Sequence, residues 1–329
     1  MPPIANPSND DLEFDSPEDQ PRRYTRKQTD RHKNRPTLQQ IVQGIAEPTG
    51  LEGGFVITYQ PARFEEGWLL DSLRPFYEQD LITDVLASVK GGKEASVYRC
   101  QADPSTGETL LAAKVYRPRQ FRNLRNDKMY TQGRTILTDQ GRAVKASDQR
   151  IMRAIGKNTA FGQQVKHTSW LMYEYVTLEQ LHAAGAAVPK PWAAGENAIL
   201  MGYVGDEGRA APTLHEIQLP RARARAIFDE VIRNIDLMLQ RGWIHGDLSA
   251  YNILYWQDAI TLIDFPQVTK GETNKHAREI LGRDIARVCD YFSRYGVASR
   301  PAAIADELWG RYLALDPDDE EADWSRFEE

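Results

Sequence analysis

Three oxygen-bearing side chains in the C-terminal half have the types and spacing to do chemistry. Asp247 and Asn252 stand in the run His245-Gly246-Asp247-Leu248-Ser249-Ala250-Tyr251-Asn252, and Asp264 follows the apolar run Ile260-Thr261-Leu262-Ile263. The Asp247-to-Asn252 spacing within a loop lets both side chains turn to one side. A hairpin from Ile253 to Ile263 would return the chain so that Asp264 faces them. Such a set suits phosphoryl transfer, in which a protein mostly positions groups and stabilises charge. Asp247 would orient an attacking hydroxyl, while Asn252 and Asp264 offer hard oxygen ligands to magnesium held against a triphosphate. Neither carboxylate then needs an unusual acidity, because a bound cation keeps both ionised. Each residue alone reads better as a polar turn or a strand-end cap; all three in this order favour the site.

The elements that must position them lie mostly upstream. Leu86 to Val89, the turn Lys90-Gly91-Gly92-Lys93-Glu94-Ala95 and Ser96 to Cys100 read as a hairpin, and a second turn, Asp103 to Glu108, leads into Leu110 to Tyr116. Three antiparallel strands with a glycine tip make a lid whose backbone N–H groups can approach phosphates, with Lys114 projecting beneath it. A helix is predicted from about Ser169 to Ala184 with Gly185 as its C-terminal stop, and either Glu174 or Glu179 on it could reach Lys114. The run Ala198 to Gly205 reads as a buried strand ending in an extended linker whose backbone can pair with an adenine edge. Ile227, Phe228, Val231, Ile232, Ile235, Met238 and Leu239 recur at helical spacing up to Gly242, and this stripe reads as core. A further helix is expected around Ile280, Leu281, Ile285, Val288, Cys289 and Phe292.

Composition narrows the class. A hydrophobic content of 41% in 329 residues supports a sizeable core. Cys100 and Cys289, the only cysteines, are too few for a disulfide framework or a structural zinc site, so a reducing compartment, the cytoplasm, is expected. No stretch approaches the ~20 apolar residues of a membrane helix, and the N-terminus lacks the pattern of an export leader. The net charge of -6 is distributed in blocks. Residues 1 to 20 are acidic and Pro-rich and are expected to be disordered. Residues 22 to 35 are basic, residues 117 to 166 form a basic insert opposed only by Asp127, Asp139 and Asp148, and the chain ends in an acidic tail. The basic segments suit contact with RNA phosphates as well as they suit solvated charge runs.

With these residues in hand, the chain resembles the RIO family of atypical serine/threonine protein kinases over roughly residues 86 to 296. Gly92-Lys93-Glu94-Ala95-Ser96-Val97-Tyr98 is similar to that family's phosphate loop, Ala113-Lys114-Val115-Tyr116 to its lysine strand, and Trp170 with Glu174 to its regulatory helix. Met201-Gly202-Tyr203-Val204-Gly205 resembles its gatekeeper and hinge. His245 to Asn252 with Ile263-Asp264-Phe265-Pro266-Gln267 is the most specific part, and Arg283-Asp284 recurs in the family's closing helix. The phosphate loop is like the first subfamily and Ile263 to Gln267 like the second, a mixture of bacterial character.

The resemblance implies a two-lobed α+β kinase fold: a small antiparallel-sheet N-lobe over residues 86 to 204 that carries the basic insert, and a short helical C-lobe over 205 to 312. These would be flanked by a tail (1 to 35), an extension of uncertain role (36 to 85) and an acidic end (313 to 329). It implies ATP and magnesium as cofactors and a role around small ribosomal subunit maturation, with a protein substrate or self-phosphorylation and no membrane partner. The implied catalytic residues are Lys114, Glu174, Asp247 and Asp264, the last also a possible phosphoryl acceptor. The implied nucleotide-binding residues are Gly92, Lys93, Glu94, Ser96, Val97, Lys114, Met201, Tyr203 and Val204, and the metal ligands Asn252 and Asp264. Two rivals share parts of the pattern. A small-molecule phosphotransferase of the aminoglycoside or choline kinase kind uses the same His-Gly-Asp-x-x-x-x-Asn set, but few residues follow Asp264 to build its acceptor pocket. An assembly factor switched by ATP occupancy without catalysis is disfavoured by the intact Lys, Asp, Asn and Asp.

Overall fold

Alternation along a single strand explains how the N-terminal half is layered. A computed structural model of the chain describes residues 55, 57–63, 65–92, 94–117, 134–145 and 147–315. Helix α1 (Glu66–Glu78) precedes β1 (Ile82–Gly91), β2 (Ala95–Ala102) and β3 (Leu110–Tyr116), and β4 (Pro191–Ala194) and β5 (Ala198–Gly202) complete an antiparallel sheet of order β1-β2-β3-β5-β4. Successive side chains of a strand point to opposite faces. On β3 the residues Leu111, Ala113 and Val115 join Leu69, Leu73 and Phe76 of α1 in one core, with Ala198 and Leu200 of β5. Ala112 and Tyr116 face the other way, with Ile199 and Met201 of β5, into the main core. Lys114 shares the parity of Ala112 and Tyr116 and so points away from α1.

Four expectations are corrected here. The sheet has five strands where three plus a separate run were expected, because Pro191 takes the first position of β4 next to β5, where a proline is tolerated in a sheet. Strand β1 starts at Ile82, ahead of Leu86. The unassigned stretch before it contains α1, whose buried side is Leu69, Leu70, Leu73 and Phe76. The helix expected from Ser169 begins instead at Ala160, after a short α2 (Gln149–Gly156). This α3 (Ala160–Ala183) is capped by Thr159, whose side chain accepts from the Gly162 N–H at 3.1 Å. A Cβ at Gly162 would lie 2.1 Å from the Ala154 carbonyl oxygen, so only glycine lets the two helices meet there. Lys, Arg and Gln on the outer faces of α2 and early α3 made this region read as a solvated basic insert.

The C-terminal half is helical. The helix α4 (Arg221–Gln240) buries Ile227, Phe228, Val231, Ile235, Met238 and Leu239, and α5 (Ala277–Ser293) buries Ile280, Leu281, Ile285, Val288, Cys289 and Phe292. Both stripes are core, as their periodicity predicts. Helix α6 (Pro301–Leu313) packs on α5 and α4. Between α4 and α5 lie β6 (Trp243–Ile244), the hairpin β7 (Ile253–Trp256) with β8 (Ala259–Leu262), and β9 (Thr269–Lys270), which pairs with β6. The fold is therefore α+β and two-lobed, with a small antiparallel sheet in one lobe and mainly helices in the other. Among the described residues no helix is long and apolar enough to cross a membrane, and Cys100 and Cys289 are both free and buried. The expected tail (1 to 35), the basic run at 22 to 35, Lys93, residues 118–133 and the acidic end from 316 lie outside the described residues.

Candidate active site

Lys114 is buried beneath the sheet, where an ammonium is tolerated only with partners. Its Nζ donates to Oε1 of Glu174 on α3 at 2.5 Å and to Oδ1 of Asp264 at 2.8 Å. Glu174 is 1% exposed and is satisfied on every side. The Tyr116 hydroxyl, two residues along from Lys114 on the same strand face, donates to Oε2, and the Phe265 N–H donates to Oε1 at 3.3 Å. Burial alone would pull the Lys114 ammonium down, but the charges of Asp264 and Glu174 outweigh it and hold its pKa well above the ordinary value. The Tyr116 phenol is driven up by burial and by Glu174, so it stays a neutral donor. Of the two glutamates that could have met the lysine, the structure selects Glu174. Glu179, five residues further on, meets Tyr175, and burial raises its pKa.

Asp264 follows β8 with φ of 73°, a left-handed conformation that Asp tolerates better than most residues. That turn swings its carboxylate, 45% exposed, toward Lys114. Enclosure raises its pKa, yet the Lys114 charge and hydrogen bond, aided by Lys90, bring it below the usual carboxylate range. Lys114 itself therefore keeps Asp264 ionised, a task the sequence had left to a cation.

The loop bearing Asp247 and Asn252 is fixed through its backbone. Buried Asp284 of α5 accepts from the Gly246 N–H at 2.8 Å and the Leu248 N–H at 3.2 Å, and Arg283 donates to the Gly246 carbonyl at 2.7 Å. Burial pushes the Asp284 carboxyl up to about 7, against the pull of the Gly246 N–H and the two neighbouring arginines. His245 donates from Nε2 to the Ile263 carbonyl at 3.1 Å and accepts at Nδ1 from the Asp247 N–H at 3.3 Å. Burial lowers its pKa, so the imidazole is a neutral brace between the loop and the end of β8. Asn252 donates from Nδ2 to the Asp247 carbonyl at 2.9 Å, which leaves its Oδ1 as the atom available to a ligand. Asp247 Oδ1 receives Arg287 Nη1 at 2.7 Å.

One cavity of about 430 Å³ gathers these groups. Gly92, Glu94, Val97, Lys114, Glu174, Met201, Asp247, Asn252 and Asp264 all line it, with Ala112, Leu178 and Met201 among its apolar wall. A Cβ on Gly92 would lie 2.7 Å from the Ala95 carbonyl oxygen, so the tip of the β1–β2 hairpin closes only with glycine there. Ser96, Tyr203 and Val204 do not line the cavity. Ser96 is buried in β2, Tyr203 lies beside a separate depression with Asp206, and the Val204 carbonyl accepts from Ala211. The oxygen donors of Asn252 and Asp264 fit a hard divalent cation, and both line the same cavity as Gly92.

Sequence reasoning passed over several groups. Tyr116 was legible as the residue two along from Lys114 on one face of a strand. Lys90 lines the cavity mouth and acts on Asp264. Arg134 stacks on Tyr173 with 5.0 Å to the ring centroid and donates to the carbonyls of Pro266, at 2.8 Å, and Val268. Counted only as part of a basic block, Arg134 gave no local signal that it belongs to the segment after Asp264.

A family model, that of the RIO domain, matches residues 96–304, which span every residue of this site except the tip of the β1–β2 hairpin. The chain belongs to the RIO-type serine/threonine-protein kinase family. Among its RIO relatives, the serine/threonine-protein kinase RIO1 of Chaetomium thermophilum is 30% identical over 67% of this chain and 41% of its own length. The human protein of the same name is 28% identical over 66% of this chain and 35% of its own. The RIO-type serine/threonine-protein kinase Rio1 of Thermoplasma acidophilum is 31% identical over 42% of this chain and 72% of its own. This RIO chain thus spans well under half the length of the fungal and human relatives.

Proposed function

We propose that the chain is an ATP- and magnesium-dependent RIO-type serine/threonine protein kinase, or a slow ATPase built on the same site. The observation that carries this reading is the convergence of Lys114, Asp264, Asn252 and Asp247 on one cavity roofed by the Gly92 hairpin. Lys114 holds negative charge on the nucleotide phosphates and is itself held by Glu174 and Tyr116. Asp247 orients the acceptor hydroxyl, or a water, and receives its proton. Asn252 through Oδ1 and Asp264 through its carboxylate would hold magnesium, which when bound neutralises charge on the transferring phosphoryl group. Met201, Ala112 and Leu178 offer an apolar bed for a base. Gly92, Glu94, Ser96 and Val97 belong to the phosphate-loop hairpin, and of the expected hinge Met201 lies on the cavity wall where the base would sit.

The basic segments 22 to 35 and 117 to 166 are assigned to ribosomal RNA phosphates, with a role near small-subunit maturation in the cytoplasm. Such contact would weaken steeply with salt. Incubation of the purified chain with γ-labelled ATP and magnesium, followed by location of the label, tests the activity. Label on protein serine or on Asp264 supports kinase chemistry, and label in free phosphate supports the ATPase. Transfer to an aminoglycoside or to choline, or no turnover at all, would replace the reading with one of its rivals.

A further inference from the structure

One face of α5 meets the loop 246 to 248 with three side chains, and they do different work. Arg283 and Asp284 bond to backbone atoms of Gly246 and Leu248. Arg287, one turn on from Asp284, reaches the Asp247 carboxylate itself. That contact uses a single donor, Nη1 to Oδ1 at 2.7 Å, and it is the sole hydrogen bond of the Arg287 side chain among the described residues. A guanidinium carries five N–H donors in a rigid fork suited to carboxylate and phosphate. Most of that fork is therefore unspent, on a side chain 41% exposed beside a carboxylate 42% exposed. Asp247 lines the cavity but Arg287 does not, so the guanidinium meets that carboxylate from outside the cavity lining. An acceptor that reaches Asp247 from outside the cavity would meet the guanidinium beside it.

We infer that Arg287 is an acceptor-binding residue, and that the acceptor bears a carboxylate next to the hydroxyl that Asp247 orients. This rests on the kinase reading above. The Nη1 contact holds Asp247 by one oxygen and leaves Oδ2 for the hydroxyl, while the remaining donors clamp the acid. An acceptor with serine flanked by Asp or Glu meets both groups at once. A basic acceptor meets a like charge at the same place, so the pair selects as well as binds.

The test uses two fluorescein-labelled serine peptides, one flanked by Glu and the other identical but flanked by Gln. Binding to the full chain is read by anisotropy at low salt, without turnover. Wild-type protein should bind the Glu peptide about tenfold more tightly, the scale of one charge-assisted contact. Arg287→Gln should bring the two affinities together, and Arg287→Lys should restore part of the gap while ATP affinity stays at the wild-type value throughout. Equal wild-type affinity for the peptides, or a preference that survives Arg287→Gln, overturns the inference. If the charge-dependent binding is present but neither peptide takes label from γ-labelled ATP, Arg287 is an acid-binding residue and the kinase reading is what fails.

Discussion

The two sides of the cavity are held by opposite means. On the N-lobe side, side chains hold side chains: Lys114, Glu174 and Tyr116 form a buried network in which Glu174 has a partner at each oxygen. On the C-lobe side, side chains hold backbone. Asp284, Arg283 and His245 fix the loop by its amides and carbonyls, and the side chains of Asp247 and Arg287 stay partly in water. A buried ionic network is costly to break, because each loss strands a charge. A loop clamped by its backbone can instead offer its side chains to a changing ligand. The half that holds Lys114 is thus set in advance, and the half that holds Asp247 is fixed in place but open.

The contrast can be strained residue by residue. Lys114→Ala should do most damage, since it leaves Glu174 buried without its cation. Denaturant melts should show a loss of about 3–5 kcal/mol, and ATP titration a loss of productive binding. Glu174→Ala should be milder, because Asp264 still meets the ammonium. If Glu174→Ala proves the more harmful of the two, the network is not organised around the lysine.

Asp284 gives the next effect, through pH. Its carboxyl is held up to about 7 in the folded chain, against an ordinary 3.8. The folded state therefore binds this proton between those values while the unfolded state has released it. The contribution to stability is full below about pH 4, falls as pH rises, and is gone above about pH 7. Between pH 5 and pH 8 wild-type protein should lose on the order of 3 kcal/mol from this group. Asp284→Asn should be less stable overall but should flatten that slope, and an unchanged slope in thermal melts would place the titration elsewhere.

Asp247→Asn should keep magnesium-dependent ATP affinity and lose turnover by ~10²-fold or more. Asp264→Asn should lose the magnesium dependence of binding together with turnover, since an amide is a poorer ligand for a hard cation. Calorimetric titration with and without magnesium, beside single-turnover phosphate release, separates the two; reversal of the pattern would exchange their roles. Tyr116→Phe removes one donor from a buried carboxylate and should cost about 1–2 kcal/mol, visible as a lower melting temperature. Glu179→Ala should be the quietest, within about 0.5 kcal/mol and without effect on ATP affinity. A defect there equal to that of Glu174→Ala would contradict the contact at Lys114.

The site was more legible than its supports. Asp247, Asn252 and Asp264 announce themselves by order and spacing, and the strand parity of Lys114 is local information. The choice between Glu174 and Glu179 was not local. Five residues apart on α3, they lie roughly 140° apart around the helix, and only the docking of the helix against β3 decides which meets the lysine. The start of α3 was hidden because its first turns carry Gln164 and Lys166 outward, so the apolar periodicity that marks a helix weakens there. Helix α1 escaped notice because Gly and Pro upstream broke the pattern around it. Arg287 and Arg134 act across large gaps in sequence, on Asp247 and on the carbonyls of Pro266 and Val268, and no spacing rule connects them.

The left-handed backbone at Asp264 has a consequence for the gene. A single base change in an aspartate codon yields Asn, Gly, Ala, Val, Glu, His or Tyr. At a φ of 73° only Asn and Gly sit without strain, and neither carries the charge that pairs with Lys114. Glu keeps the charge but adds a methylene and a backbone penalty together. Every one-step neighbour therefore fails on shape or on chemistry, and the position has no gradual route away from aspartate and none back by way of a working intermediate.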